Sequence, residues 1–311
     1  MFKRYLVGFF LLALAEIGFG LTFVTGSVLT RRYGVSAEAL AFCRFAMSGG
    51  LMLCLGCLTA RRRAALARPS RRDWLTLLWI APIGTSVMAW CVFAGCARVS
   101  VANAAMADAL TPLMIFAVAA LVTRRISLGE LVGLGCGFVG ALLVVQILTR
   151  RGLELSAYSL GDVYILLAAA TWGVYTVCGQ SSIRRLGASV FTTWTMVIGA
   201  MMLGPVLPFL DSTWPSDARA WLLTAELALL STLMPFWAWN AAQKYLPIAV
   251  ISVSAYFAPV VAMGLAVVLL GERITALQWL GTLFIIASAT VETGRQRRRR
   301  PAADPAPGAP A

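Results

Sequence analysis

The 311-residue chain contains no histidine. That absence removes the usual acid–base triads and the commonest metal ligand. Charge is also scarce: 13% of residues are Asp, Glu, Lys or Arg, about half the quarter found in ordinary soluble domains. A glycine-rich phosphate loop is missing, so this chain alone is not expected to pump with ATP. No catalytic constellation is left, and the expectation is a protein that is not an enzyme and takes no cofactor or metal. Strand-like alternation is lacking too, which argues against a membrane β-barrel. Cys54 and Cys57 have CxxC spacing. With no His and no second pair nearby, they read as small packing residues rather than a zinc site.

What is present is apolar: 60% of the chain is hydrophobic. A helix needs ~20 apolar residues to cross ~30 Å of hydrocarbon. Ten runs of that kind lie near 5–30, 37–59, 74–95, 101–122, 129–149, 162–182, 190–210, 221–242, 247–270 and 276–293. The pattern predicts an all-α, polytopic membrane protein of ten transmembrane helices. The formal charge of +13 needs no nucleic acid to explain it. With the N-terminus inside, most Lys and Arg fall in cytoplasmic loops: Lys3 and Arg4, the Arg61–Arg72 loop, Arg124/Arg125, Arg184/Arg185, Lys244 and the Arg297–Arg300 cluster. This is the positive-inside bias, and it predicts that both termini are cytoplasmic. The first run is too long for a signal peptide's apolar segment and reads as a retained span. Residues 295–311 read as a disordered basic tail that stops transfer and touches membrane lipid.

The chain also repeats itself. Shifted by 147 residues, Trp74 falls on Trp221, Trp90 on Trp237, Ala102 on Ala249 and Pro112 on Pro259. After one inserted residue, Arg125 meets Arg273 and Gly133 meets Gly281, while near the start of each half Gly18 meets Gly173. The unit has five spans, an odd number, so its copy must run through the membrane with opposite orientation. The expected organisation is two inverted five-helix repeats, residues 1–150 and 151–294. Many carriers use such a pair to expose one central site to either side.

Several stretches resemble the EamA-type transporters of the drug/metabolite transporter superfamily. They are "FCRF" around Arg44, "ALTPLM" at 109–114, "YFAPVV" at 256–261 and "LLGERITALQWLG" at 269–281. The resemblance covers about residues 5–293. It implies ten helices, two repeats, cytoplasmic termini and alternating-access export of small metabolites, often amino acids. Two departures stand out: Arg124 where the second copy of the turn has Glu272, and an acid, Glu16, just ahead of the first-span glycine.

Charges deep in apolar runs are the sharpest site signal, because each costs ~2.5–3.5 kcal/mol at a helix centre and so faces a cavity or a partner. Glu16, Arg44 and Asp108 qualify. The plain reading is an internal ion pair of Arg44 with Glu16 or Asp108, Arg44 being a structural charge. The functional reading makes Glu16 and Asp108 groups that bind substrate or carry a coupling proton. Trp90, Trp172, Tyr175, Trp237, Asn240 and Tyr256 supply an expected aromatic and polar wall, in which Trp237 shares a face with Glu226, Leu230 and Leu233 by three- and four-residue steps. Interhelical packing is the competing reading of each ring. Pro112 and Pro259, as repeat mates, read as hinges or pocket-shaping kinks.

The expected function is secondary export of a small metabolite, amino-acid-like, across the inner membrane, with protons as the coupling ion or by downhill exchange. The rivals are a multidrug exporter of lipophilic cations and a non-transporting scaffold. Oligomeric state is left open by the sequence.

Overall fold

In the computed structural model, the residues described are 2–99, 101, 104, 108, 110–123, 131–132, 135–136, 138–139, 148–149, 152–153, 160–270, 280, 283–284 and 287. Six helices among them are long and apolar enough to cross a membrane: Arg4–Arg32, Ala37–Cys57, Arg71–Cys96, Leu160–Leu186, Ala188–Phe209 and Ala218–Ala242. They coincide with the first, second, third, sixth, seventh and eighth apolar runs. The fifth and tenth runs fall mostly outside the described residues, as do both basic turns and the 295–311 tail, so these residues do not test the count of ten.

The elements follow in order. Helix α1 is Phe2–Ser27, extended by a π turn to Arg32; α2 is Ala37–Cys57; α3 is a short helix, Ala60–Leu66, inside the Arg-rich loop. Helices α4 (Arg71–Ala81) and α5 (Met88–Cys96) make up the third span, joined by a π turn at Pro82–Val87. Then come α6 (Thr111–Thr123), α7 (Leu160–Leu186) and α8 (Ala188–Leu203). Helices α9 (Ala218–Ala228) and α10 (Met234–Ala242) form the eighth span around a π turn at Leu229–Leu233. The expected ninth span is two pieces, α11 (Ile248–Ser254) and α12 (Phe257–Leu270), parted by a turn at Ala255–Tyr256. A two-residue antiparallel pair, Leu148–Thr149 with Gly152–Leu153, is the strand content of the described residues.

Local sequence sets these boundaries. Ser36 and Asp217 cap α2 and α9 by accepting from the backbone of Ala39 and Ala220. Ser70 and Asp73 form a reciprocal capping box at the start of α4. Asp73 also accepts from Arg185 at the end of α7, 2.6 Å from Nη2, which ties the two ends together. The two interior π turns stand 147 residues apart at their starts, Pro82 and Leu229, the same offset as the tryptophan pairs.

Polarity is arranged inside out, as lipid requires. Leu6, Phe10 and Ile17 of α1, Leu51 and Leu55 of α2, and Leu160, Val163 and Leu167 of α7 are exposed. Thr22, Arg44, Ser48, Thr176, Thr192 and Asn240 are buried. Helix α1 packs along α10 and α12, α7 along α5 and α6, and α2 against α8. Two glycines permit close approach of one span to the backbone of another. A Cβ on Gly18 would stand 2.7 Å from the Leu230 carbonyl, and one on Gly173 would stand 3.0 Å from the Met114 backbone.

Candidate functional site

At the centre of the bundle the helices leave a cavity of about 60 Å³, room for about four waters at ~15 Å³ each. Its polar wall is Glu16, Thr22, Arg44, Asp108 and Thr111, drawn from the first, second and fourth spans. Its ring wall is Phe19, Phe23, Trp172, Phe236 and Trp239. Met88 and Val92 of α5, Ala168 and Ala169 of α7, and Ala255 and Ala258 beside the break in the ninth span complete it. Asp108 and Ala255 are repeat mates under the 147-residue shift, as are Thr111 and Ala258.

Glu16, Arg44 and Asp108 thus meet at one chamber, but not as an ion pair. Glu16 is 3% exposed, and its Oε1 accepts from the Ser254 hydroxyl at 3.4 Å while Oε2 has no partner among the described residues. Asp108 accepts from Thr111 Oγ1 at 2.9 Å. Arg44 is 2% exposed; its Nε donates to Thr232 Oγ1 at 2.8 Å, Nη2 reaches the Ser231 carbonyl at 3.5 Å, and Nη1 has no partner among the described residues. Three rings, Phe45, Phe93 and Phe236, lie 5.1, 5.3 and 5.9 Å from the guanidinium carbon. Among the described residues the one ion pair is Arg185–Asp73.

The backbone explains part of this arrangement. Pro235 brings no N–H, so in a regular helix the Ser231 carbonyl four residues back would go without its donor. Here that carbonyl takes Thr22 Oγ1 at 2.9 Å and the Arg44 Nη2 contact. The eighth span is therefore sewn to the first and second through an opened turn, the arrangement a membrane tolerates only where protein covers it.

Of the aromatic and polar residues expected in the wall, Trp172 lines the chamber. It stacks on Tyr175, ring centroids 5.0 Å apart and 14° between planes. Tyr175 lies one layer back, its hydroxyl accepting from Asn240 Nδ2 at 2.9 Å, and Asn240 also donates to Thr192 Oγ1. These two residues hold Trp172 rather than face the cavity. Trp90 packs edge-on against Tyr164. Trp237 donates to Ser189 Oγ at 3.0 Å in a separate groove beside α2 and α3. Tyr256 is buried between the chamber-lining Ala255 and Ala258 without lining the chamber itself. Pro112 and Pro259 stand at the second and third residues of α6 and α12, directly after the turns at Leu110 and Ala255–Tyr256.

Phe19, Phe236 and Trp239 carry the ring wall without having been expected. Phe19 meets Trp172, Phe236 and Trp239 edge-on at 5.2, 5.9 and 5.9 Å. Glu226, Leu230 and Leu233 do not line the chamber either, and the π turn at Leu229–Leu233 interrupts the count from them to Trp237. An extra residue in one turn rotates everything beyond it by ~100°, so steps of three and four counted from Glu226 lose the face. Pro235 six residues after the turn's start was the available signal.

A helical bundle with lipid-facing apolar side chains and a chamber of mixed charge at its centre defines a polytopic membrane transporter. The chain belongs to the EamA-like transporter family, whose sequence profile matches it twice, over residues 6–146 and 159–292. It is similar to the uncharacterized transporter YyaM of Bacillus subtilis (24% identity, 83% of this chain and 85% of that one). It is also similar to a probable terminal-alkyne amino-acid exporter of Streptantibioticus cattleyicolor (27%, 88% and 89%) and to the uncharacterized inner membrane transporter YicL of Salmonella typhimurium (22%, 93% and 96%). A solved crystal structure superposes with a TM-score of 0.72 at 20% identity, covering 95% of this chain and 98% of that chain, a likeness of fold.

Proposed function

We propose that this transporter exports a small amino-acid-like metabolite across the inner membrane by alternating access, with ten helices in two inverted repeats, 1–150 and 151–294, and both termini cytoplasmic. The carrying observation is the central chamber, walled by both halves and holding buried groups of both signs. The two profile matches and the reciprocal packing of α1 on α10 and α7 on α5 favour paired halves. The name of the Streptantibioticus relative favours an amino-acid-like cargo. In this reading Glu16 and Asp108 touch solute or a coupling proton, Trp172 walls the site with Tyr175 and Asn240 behind it, and Pro112 and Pro259 mark hinges. Trp90, Trp237 and Tyr256 serve packing. A cavity this small, against about 300–1,000 Å³ for pockets that bury a drug-sized ligand, is a contracted form of the site. A guanidinium beside two carboxylates in the wall favours a solute carrying both charges over a lipophilic cation, which would leave Arg44 without a partner. Purified protein in liposomes is expected to move labelled amino acids; a full panel of amino acids giving no flux with intact fold would refute the reading.

A further inference from the structure

We infer that Arg44 and Glu16 form a two-ended clamp for a zwitterion, Arg44 Nη1 taking a carboxylate and Glu16 Oε2 an ammonium across the chamber. This rests on the export reading above and assigns its recognition groups.

Both side chains are more than nine-tenths buried and line one cavity, and each keeps one charged-end atom without a partner among the described residues. Buried polar atoms are normally satisfied, and leaving one without a partner is costly. Two orphans of opposite charge could satisfy each other, yet the pair is not within 4.0 Å: among the described residues the ion pair formed is elsewhere, Arg185–Asp73. What holds them apart is visible. Thr232 Oγ1 and the Ser231 carbonyl draw Arg44 toward the eighth span, and Ser254 draws Glu16 toward the ninth. A single solute bearing both charges completes both groups at once, whereas an amine leaves Arg44 orphaned and an acid leaves Glu16 orphaned. Asp108, already accepting from Thr111, adds attraction at the ammonium end. Phe19, Trp172 and Phe236 then receive an apolar side chain.

A site built to bond a group rejects the analogue that lacks it far more strongly than a site that merely excludes bulk. The test uses matched triads in proteoliposomes: L-leucine, 3-methylbutylamine and 4-methylpentanoate, then L-phenylalanine, phenethylamine and 3-phenylpropanoate. Competition against the wild-type protein needs no variant to fold. The expected result is that the amino acid of at least one triad is moved, and outcompetes its amine and its acid by about 10- to 100-fold. In Arg44→Gln the disadvantage of the amine is expected to shrink by about tenfold, and in Glu16→Gln that of the acid. Arg44→Lys, which keeps a charge, retains part of the preference. An amino acid moved no better than its amine and acid overturns the clamp and leaves the export reading standing. Flux of the amines or acids alone, or of no member of either triad with intact fold, overturns the clamp; extending the panel to all amino acids with no flux overturns the export reading as well.

Discussion

Thr22→Val isolates one hydrogen bond at the seam between the first and eighth spans. The substitution keeps shape, so no cavity opens, and it removes the hydroxyl that donates to the Ser231 carbonyl at 2.9 Å. The same hydroxyl lies 3.2 Å from the Gly18 carbonyl, which has its own helical donor to fall back on. Ser231 lacks the usual donor four residues on, because Pro235 supplies none; of its side-chain donors it keeps Arg44 Nη2 at 3.5 Å. A buried acceptor stripped of its better donor costs about 1–3 kcal/mol in soluble proteins. Interhelical hydrogen bonds in a membrane protein average about 0.6 kcal/mol with a maximum near ~1.7. The expected loss is therefore about 1 kcal/mol, read by reversible unfolding in mixed micelles. Pro235→Ala restores an N–H one turn beyond Ser231, so in that background Thr22→Val is expected to cost about 0.5 kcal/mol less. Equal costs in the two backgrounds would refute the reasoning, since the carbonyl would then not depend on the proline.

Gly173→Val is expected to destabilise by about 1–3 kcal/mol, because its Cβ meets Met114 backbone that cannot move aside, while Gly50→Ala, facing open space, stays within about 0.5 kcal/mol; both are read by thermal unfolding of the purified protein. Asp73→Ala is expected to cost more than Arg185→Ala, about 1–2 kcal/mol against less than about 1, because Asp73 both caps α4 and pairs with an arginine that is 42% exposed. Arg44→Met is expected to unfold at the same denaturant concentration as wild type or higher, with solute flux lost in liposomes.

The six long helices were legible because lipid demands uninterrupted apolar length, which the sequence carries openly. Glu16, Arg44 and Asp108 were legible for the converse reason: a charge surrounded by such length must turn inward, and all three do reach the chamber. Direction around the axis was harder. Trp237 and Phe236 are adjacent in sequence, ~100° apart on a helix, and the π turn at Leu229–Leu233 breaks the residue count that would tell which of them faces inward. No residue spacing announces such a turn beyond a nearby proline. The ninth run had the same weakness: "YFAPVV" reads as continuous apolar length, yet the backbone turns at Ala255–Tyr256 just before Pro259, at the register position that Asp108 occupies in the other half. Asn240 and Tyr175 were found as polar groups in apolar helices, but their mutual hydrogen bond lets them satisfy each other behind Trp172 instead of lining the central chamber. Pattern identifies polar groups that need partners; only packing says whether the partner is another side chain.

Arg44 separates those two cases. If it were there for packing, its loss would orphan the groups it hydrogen-bonds, but both keep other partners. Thr232 Oγ1 donates independently to the Leu227 carbonyl at 2.7 Å, and the Ser231 carbonyl keeps the Thr22 hydroxyl. The three surrounding phenylalanines would meet a methionine side chain as readily as a guanidinium stem, with sulfur–aromatic contact in place of cation–π attraction. Removing a desolvated charge with no counter-ion within 4.0 Å also relieves an insertion penalty of ~2.5–3.5 kcal/mol. Arg44→Met should therefore hold or gain stability, whereas a structural charge would lose about 3–5 kcal/mol on removal from a buried pair. A Met variant that unfolds early would return Arg44 to the scaffold; one that folds well and carries nothing leaves the solute as the partner its Nη1 lacks.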